Sequence, residues 1–534
     1  MSQEFRATIR KAREHSIGDL LRRSASRTPN KSAVICGREV WTFVELDVIC
    51  NRLGRGLRRA GVSRGDRVAI LSRNSHAFAA MRFAVARIGA ILVPINFMLK
   101  SDEINFILVN SGARILATGA DFVESARAAV AKGCAVEALI WMPGEEPALP
   151  PPGMITFDDL LHSDGSQLDD FVDGEDPAQI IYTSGTESLP KGAVLTHHAV
   201  MWQYVSCVLE GSMATEDSVL HALPLYHCAQ LDVFLGPAIY LGASSLITAK
   251  PTADNILSLI ETHEITSFFA PPTVWIAMPR SAHFDQTNLS TLQKGYYGAS
   301  IMPVEILLEL QRRLPRVKFW NFYGQTEIAP LATVLKPEDQ IRKAGAAGKP
   351  AINVETRVVD SAMEDVSVGE IGEIVHRSPQ LLSGYYSDPD KTAAAFRDGW
   401  FHSGDLATVD SDGYITVVDR VKDMIKTGGE NVASREVEEA IYGLSSVSEV
   451  AVIGLPDARW IEAVTAIVVV RSGENLTEDN VIDHCANTMA PFKVPKRVIF
   501  IDSLPKNPSG KLLKRELRQR FAENVRVAEG NFGR

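Results

Sequence analysis

Residues 182–192 read Tyr-Thr-Ser-Gly-Thr-Glu-Ser-Leu-Pro-Lys-Gly, and this stretch says most about the fold. It follows the apolar pair at 180–181, which is typical of the end of a buried strand. A loop with backbone N–H groups, hydroxyls and one lysine suits a polyphosphate. It does not have the spacing of a P-loop, because Ala193 follows Lys191-Gly192 where Ser or Thr is required. The stretch therefore predicts a nucleotide-binding loop of another type.

The sequence on both sides of this loop alternates between strand-like and helix-like patterns. The segment 77–88 has helical spacing and ends at Gly89. Short apolar runs typical of strands lie at 67–71, 91–95, 218–223, 244–248, 267–270 and 317–323. This rhythm predicts an α/β fold with parallel sheets covered by helices.

The pattern changes twice toward the C-terminus. From 351 to 420, short β-like runs separated by Asp-Gly and Gly-Glu turns predict a mostly antiparallel subdomain. Beyond 423 the α/β alternation restarts, with strands expected at 450–453 and 463–470. We therefore predict a large N-terminal domain, 1–420, with two α/β-layered sheets and a β-rich subdomain, and a small C-terminal α/β domain, 421–534.

Composition narrows the class of protein. The chain has 534 residues, which is too long for one core, and 46% hydrophobic with 22% charged residues is typical of a globular protein. A net charge of −10 argues against a nucleic-acid partner. The six cysteines are scattered without metal-ligand spacing, which predicts reduced thiols in a cytoplasmic protein.

No targeting or membrane segment is expected. Residues 1–23 are charged throughout and contain no apolar core of a signal peptide. No apolar run approaches the ~20 residues of a membrane span. Peripheral membrane contact and a homodimer are left open.

Further short islands combine glycines, aromatic residues and charges. They are Leu223-Pro-Leu-Tyr-His227, Tyr297-Gly-Ala-Ser300, Asn321-Phe-Tyr-Gly-Gln-Thr-Glu327, Trp400-Phe-His-Ser-Gly-Asp405, Lys426-Thr-Gly-Gly-Glu-Asn431 and Asn507-Pro-Ser-Gly-Lys511. In this order and spacing they resemble the adenylate-forming superfamily of acyl-CoA synthetases, luciferases and nonribosomal-peptide adenylation domains, and look most like a bacterial fatty acyl-CoA synthetase. The resemblance spans about residues 17–517. It implies ATP, Mg²⁺ and coenzyme A as cofactors, and a small carboxylic acid as substrate.

The resemblance also implies roles for nucleotide-binding residues. Thr183, Ser184, Gly185, Thr186 and Lys191 would hold the β- and γ-phosphates. Tyr323 would stack on adenine, with Gly298 and Ala299 lining the base. Thr326 would contact the α-phosphate, Glu327 and Thr186 would hold Mg²⁺, and Asp405 and Arg420 would bind the ribose.

A second group of roles concerns catalysis and domain motion. Lys511 would bridge the carboxylate and the α-phosphate, and His227 would flank the acyl pocket. In this family the small domain moves after adenylation about a hinge, here Lys422. That motion would bring the loop with Gly428, Gly429 and Glu430 toward the thiol of coenzyme A.

Two positions depart from the family pattern. Glu187 and Ser188 stand where the phosphate loop normally has Thr-Gly. A carboxylate ~4 Å from a phosphate would cost about 1–4 kcal/mol, so we expect Glu187 to point away from ATP or to order the loop. Ile461 replaces the usual glycine near the expected pantetheine channel.

The residues expected around the acyl group are largely apolar. We predict that Tyr226, Trp275, Tyr297 and Phe322 line the pocket, and that Tyr296, next to Tyr297, is a further aromatic side chain suited to an aryl acid. An apolar acid is favoured over an amino acid, although the register of Asp232 in this region is left open. A medium- to long-chain fatty acid is the first expectation and an aryl acid the alternative. An acyl-AMP ligase serving a carrier protein and a catalytically impaired binding protein are further alternatives.

Overall fold

The computed structural model describes residues 3–162, 164–183, 190–298, 302–428, 430–457, 459–506 and 512–530. Over these ranges the chain folds into four sheets with helices between and around them. The helices are Gln3–Ala12, Ile17–Arg27, Phe43–Arg59, His76–Arg87, Ser101–Ser111, Val123–Val130, Phe157–Leu161, His197–Glu210, Cys228–Gln230, Gly236–Leu241, Ala253–Thr262, Pro272–Ala277, Val304–Arg313, Pro389–Ala395, Ser434–Tyr442, Glu478–Thr488 and Lys514–Gly530, with a π-helical turn at Leu231–Leu235.

The first sheet carries one side of the candidate site. In spatial order its strands are Lys349–Pro350, Leu331–Leu335, Lys318–Gly324, Lys294–Gly298, Ser267–Phe269, Ser218–His221, Ser244–Ile247, Ser32–Cys36 and Glu39–Thr42. The strands from 218 to 324 pair in parallel. Their carboxyl ends therefore lie along one edge, where ligands bind in parallel α/β sheets.

The second sheet carries the predicted phosphate loop. In spatial order its strands are Gly384–Tyr385, Lys191–Thr196, Pro177–Thr183, Ile91–Pro94, Arg67–Leu71, Ile115–Gly119, Ala138–Met142 and Ile155–Thr156. Thr183 and Lys191 are register partners in an antiparallel pair. The predicted loop thus connects two adjacent strands, with both of its ends fixed by the sheet.

The helix His76–Arg87 shows how the layers are joined. It begins at Ser75, whose hydroxyl accepts a hydrogen bond from Phe78 N at 3.1 Å, as N-terminal capping serines do. Every residue of this helix is buried, as expected for a helix packed on all sides. One hydrophobic core includes this helix together with Val34 of the first sheet and Val68 of the second.

The remaining two sheets confirm the predicted change of pattern. Glu355–Val359, Gly372–Arg377, Trp400–Val409, Phe396–Arg397 and Ile415–Arg420 form an antiparallel sheet. Glu430–Val432, Ile425–Thr427, Ile461–Val470, Val447–Asp457 and Arg497–Phe500 form the sheet of the smaller C-terminal unit. Its two long strands extend beyond the predicted runs, because they pair along most of their length. The mixed α/β class is confirmed.

Candidate active site

The site is built where the first sheet meets the antiparallel sheet. Tyr323 lies near the carboxyl end of the strand Lys318–Gly324, and its hydroxyl donates to Asp405 Oδ2 at 2.7 Å. Asp405 and Arg420 are cross-strand partners, and Arg420 Nε lies 3.1 Å from Asp405 Oδ1. Burial and the neighbouring carboxylate raise the pKa of Tyr323, so its hydroxyl stays protonated and donates. The structure thus brings the predicted adenine and ribose residues together.

A second set of contacts lies directly after this strand. Thr326 and Glu327 begin a short 3₁₀ turn and are both buried. Tyr385 donates its hydroxyl to Glu327 Oε1 at 3.0 Å, while Lys191 Nζ lies 5.4 Å from the centroid of the Tyr385 ring. Burial and Glu327 raise the pKa of Tyr385. Tyr385 was not predicted, although the aromatic pair after Gly384 is a signal that could have found it.

The chemistry of Glu327 fits the predicted metal. Mg²⁺ prefers a small number of carboxylate oxygens and completes its shell with phosphate and water. Glu327 supplies one carboxylate beside Thr326, and no group of three or more His, Cys, Asp or Glu in the described ranges could form a metal cage of its own. The second predicted ligand, Thr186, lies outside those ranges.

Several predicted residues fall in segments that the structure does not describe. They are Ser184, Gly185, Thr186, Glu187, Ser188, Ala299, Ser300, Gly429 and Lys511. On either side of the first gap, Thr183 Oγ1 donates to the Lys191 carbonyl at 3.5 Å. Gly298, which borders the second gap, has no room for a side chain, because a Cβ there would lie 2.4 Å from the Phe322 carbonyl oxygen.

His227 is the neighbour in the chain of Cys228, which contacts Thr326. Its Nδ1 accepts a hydrogen bond from Ala229 N at 3.2 Å and thereby caps the short helix Cys228–Gln230. The thiol of Cys228 lies 3.3 Å from Thr326 Oγ1. The half-buried His227 is therefore joined to the predicted α-phosphate residue through its neighbour in the chain.

The four predicted acyl-pocket residues do not pack in one hydrophobic cluster. Phe322 belongs to a cluster on one face of the first sheet, which we call the acyl-side cluster: Phe234, Phe269, Tyr296, Trp320 and Phe322. Trp275 and Tyr297 pack on the opposite face, where Tyr297 donates to Gln340 Oε1 at 2.7 Å. Tyr226 packs against Phe97, with ring centroids 5.2 Å apart. Tyr297 lies opposite to Phe322 because successive residues of a strand point to opposite faces, and Gly298 is the register partner of Phe322. The contacts therefore favour Phe322 over the other three as an acyl-pocket residue.

The structure also decides the role of Asp232. It is fully buried, lies 3.3 Å from Arg82 and accepts a hydrogen bond from Gln179 Nε2 at 2.7 Å. Burial raises its pKa, although Arg82 acts in the opposite direction. Its oxygens are engaged between the layers, which agrees with the expectation of a substrate without an ammonium group.

In the C-terminal unit, Gly428 N donates to the Trp460 carbonyl at 2.8 Å, and Glu430 and Lys422 are exposed. Ile461, which replaces the family glycine, has a φ of 70° in the left-handed region that favours glycine. All six cysteines are free. No helix in the described ranges combines the length and apolar content that a bilayer crossing requires.

Comparison with known proteins identifies two family matches. Residues 21–386 match the family described as "AMP-binding enzyme", and residues 436–511 match "AMP-binding enzyme C-terminal domain". A feruloyl-CoA synthase of Amycolatopsis is 38% identical over 510 residues, covering 95% of this chain and 100% of that protein. The long-chain-fatty-acid–CoA ligase FadD13 of Mycobacterium tuberculosis is 34% identical, covering 96% and 99%.

A solved structure agrees with this similarity. The anthranilate CoA ligase AuaEII in complex with anthranoyl-AMP superimposes with a TM-score of 0.88 at 27% identity, covering 95% of this chain and 97% of that one. The likeness therefore extends through both the large unit and the C-terminal unit.

Proposed function

This chain belongs to the family of AMP-binding enzymes and is an acid–CoA ligase of the AMP-forming type; from that premise we propose that its substrate is an aromatic carboxylic acid. The enzyme joins the acid to AMP with release of pyrophosphate. It then transfers the acyl group to the thiol of coenzyme A with release of AMP.

The observation that supports the adenylation step is the contact of Tyr323 and Arg420 with Asp405, next to Thr326 and Glu327. In the proposed complex, Asp405 accepts hydrogen bonds from the ribose hydroxyls, and Arg420 holds the carboxylate in place. The ring of Tyr323 supports the adenine. The nucleotide is thereby oriented with its α-phosphate toward Thr326, so that orientation supplies a large part of the rate.

In the first step an oxygen of the substrate carboxylate attacks the α-phosphorus, and the bond to the bridging oxygen of pyrophosphate breaks. Both reactants are anionic, so hydrogen-bond donors and cations must offset the negative charge of the carboxylate and the phosphates as they approach each other. We propose that Thr326, Lys191 and Lys511 supply these donors, together with Thr183, Ser184, Gly185 and Thr186 of the phosphate loop. Mg²⁺ held by Glu327 and Thr186 would neutralise charge on the phosphates.

In the second step the thiolate sulfur of coenzyme A attacks the acyl carbon, and AMP leaves. We propose that a boundary at 420–422 separates a domain over 1–420 from a domain over 421–534, with Lys422 as the hinge. The two family matches end and begin on either side of this boundary, which supports it. The loop with Gly428, Gly429 and Glu430 would then face coenzyme A. A cytoplasmic location remains a prediction from the free cysteines.

The aromatic class of acid is supported by aromatic side chains that lie close in the chain to the proposed catalytic residues. Phe234 and Phe322 belong to the acyl-side cluster. In the chain, Phe234 lies seven residues after His227, and Phe322 lies four residues before Thr326. Flat rings stack on such side chains with additional stabilisation beyond the burial of area. The similarity to feruloyl-CoA synthase and to the anthranoyl-AMP complex supports the same class, whereas the similarity to FadD13 supports a fatty acid.

The decisive experiment is pyrophosphate release by the purified protein with ATP and a panel of acids. The panel should contain ferulate, p-coumarate, benzoate, anthranilate, octanoate and dodecanoate. Acyl-CoA formation is then measured with coenzyme A as the acceptor. We expect the highest kcat/KM with an aromatic acid.

Each alternative has its own outcome in this assay. A preference for dodecanoate would replace the aromatic acid by a fatty acid. Pyrophosphate release without acyl-CoA would indicate a carrier protein as acceptor, and absence of pyrophosphate release with every acid would indicate an impaired enzyme. The Lys511→Ala variant should lose pyrophosphate release while it still forms acyl-CoA from supplied acyl-AMP.

A further inference from the structure

The strand Lys294–Gly298 presents three residues to the face that carries the acyl-side cluster. From the edge of the site inward these are Gly298, Tyr296 and Lys294, because alternate residues of a strand share a face. Gly298 leaves the strand end without a side chain. Two residues span about 7 Å along a strand, so the first large group below the edge is the ring of Tyr296.

Tyr296 is held in place from several sides. Its ring lies 5.1 Å from both Phe234 and Trp320 and 5.4 Å from Phe322, measured between ring centroids. Its hydroxyl donates to the carbonyl oxygen of Gly211 at 2.7 Å. The side chain is fully buried, so moving it would require breaking both the hydrogen bond and the ring packing.

The space behind Tyr296 is polar. Lys294 Nζ donates to the Ser212 carbonyl at 2.7 Å and lies 2.7 Å from Asp217 Oδ2. This ion pair is largely buried, with 15% and 8% of the two side chains exposed. An alkyl chain that passed Tyr296 would meet these charges, and separating a buried ion pair is costly.

Gly211, which follows the helix His197–Glu210, lies at the same inner end of the cluster as Lys294. A Cβ at this position would lie 3.0 Å from Phe322 Cζ, so the backbone of Gly211 is in close contact with that ring. Tyr296, Phe322 and Gly211 therefore form a continuous barrier between the site and the ion pair.

We propose that Tyr296 is the floor of the acyl pocket and determines specificity, by admitting a short acid with a flat ring and excluding straight-chain acids of fatty-acid length. This inference rests on the proposed ligase activity and names the residue that limits its substrate. Tyr296 is a specificity-determining residue and takes no part in the chemical steps.

The unmodified protein provides a first test that does not depend on any variant. With ATP and coenzyme A, kcat/KM is measured for p-coumarate and for hexanoate, octanoate, decanoate and dodecanoate. We expect kcat/KM to fall with chain length and to be at least about a hundredfold lower for dodecanoate than for p-coumarate. Equal values for dodecanoate and p-coumarate would overturn the inference.

Variants of the floor provide the second test. Tyr296→Ala should raise the ratio of kcat/KM for octanoate to that for p-coumarate by about tenfold or more, because the ring that blocks the chain is gone. Tyr296→Leu, which keeps an apolar side chain of moderate size, should raise the ratio by a smaller factor and serves if the alanine variant does not fold. Tyr296→Phe keeps the ring and should leave the ratio unchanged.

Tyr297→Phe is the matched control. It removes the hydroxyl bonded to Gln340 on the opposite face and should leave the ratio unchanged. The enzyme could prefer aromatic acids while Tyr296→Ala and Tyr296→Leu both keep the wild-type ratio of kcat/KM for octanoate to that for p-coumarate. That result would contradict the role of Tyr296 as the pocket floor and leave the proposed function standing. If the unmodified protein prefers dodecanoate, the role of Tyr296 and the proposed aromatic substrate are both wrong.

Discussion

Two aspartate–arginine pairs in this chain differ in their surroundings. Asp405 Oδ1 lies 3.1 Å from Arg420 Nε, and 34% of the arginine side chain is exposed. Asp232 Oδ1 lies 3.3 Å from Arg82 Nη2, and the two side chains are 0% and 1% exposed. The first pair lies beside Tyr323 at the end of a parallel strand, and the second lies between the two large sheets.

The difference teaches that residue type alone does not identify a binding residue. The side chain of Asp405 is itself only 7% exposed, but that of its partner Arg420 is 34% exposed, so we predict that Asp405 can exchange this donor for a ligand hydroxyl. Asp232 cannot do so, because Arg82, Gln179 and Tyr204 already surround it. Removing the Asp405 carboxylate should therefore affect catalysis, and removing the Asp232 carboxylate should affect the stability of the fold.

The largest expected effect is on catalysis. Asp405→Ala should lower kcat/KM for pyrophosphate release by about a hundredfold, because two hydrogen bonds to a charged acceptor are worth about 1.5 kcal/mol each or more. Its thermal unfolding midpoint should stay near that of the wild type. Asp412→Ala, which removes an exposed carboxylate from the same subdomain, is the control, and an equal loss of activity in both variants would contradict the role of Asp405.

For the fully buried pair of Arg82 and Asp232, the main effect should be on stability. Asp232→Ala should lower the free energy of unfolding by about 3–5 kcal/mol, because Arg82 would remain charged in the interior. Urea unfolding measures this change. The double variant Arg82→Met/Asp232→Leu should recover most of the loss, and a single variant as stable as the wild type would show that the pair does not hold the layers together.

A smaller effect is expected at the Tyr323 hydroxyl, which bonds Asp405 and so links two of the proposed nucleotide-binding residues. Tyr323→Phe keeps the ring and removes the donor to Asp405, at a cost of about 1 kcal/mol. The KM for ATP should rise about fivefold with kcat retained. A fall in kcat of about a hundredfold would mean that the hydroxyl acts in the chemical step.

The smallest effect concerns pH. Partial burial of its ammonium group and the neighbouring Arg420 lower the pKa of Lys422 from 10.5 to about 8. Between these values the unfolded chain binds more protons than the folded one, so stability should rise as the pH increases from about 8 to 10.5. Lys422 as a whole residue is exposed, so solvent screens its charge. The gain in the free energy of unfolding should therefore stay below about 1 kcal/mol. Lys422→Met should remove this rise in urea unfolding, and an unchanged slope would contradict the assignment.

Local patterns predicted the elements around the site closely. The helix expected at 77–88 spans His76–Arg87, and the strand expected at 67–71 spans Arg67–Leu71. Both are encoded by periodicity and by capping residues within a few positions. The hydrogen bond from Tyr385 to Glu327 escaped prediction, because it joins residues 58 positions apart.

The acyl pocket shows the limit of local reasoning most clearly. Tyr296 and Tyr297 are neighbours of the same type, and the sequence favours neither as the pocket residue. The two side chains point to opposite faces of the sheet, so which of them faces the site depends on the side of the sheet that the site occupies. That side is set by how the helices and the antiparallel sheet pack around the first sheet. Both tyrosines were candidates from the sequence, but only Tyr296 belongs to the acyl-side cluster, whereas Tyr297 packs on the opposite face.

The sequence by itself determined the α/β class and the ordered motifs that carry the family resemblance, because these depend on short-range spacing. Tertiary structure decided which aspartate has a partly exposed arginine partner and which lies in a fully buried pair, which of two neighbouring tyrosines joins the acyl-side cluster, and which hydroxyl bonds Glu327. These choices depend on contacts between segments that are far apart in the chain, and they are made only when the layers pack together.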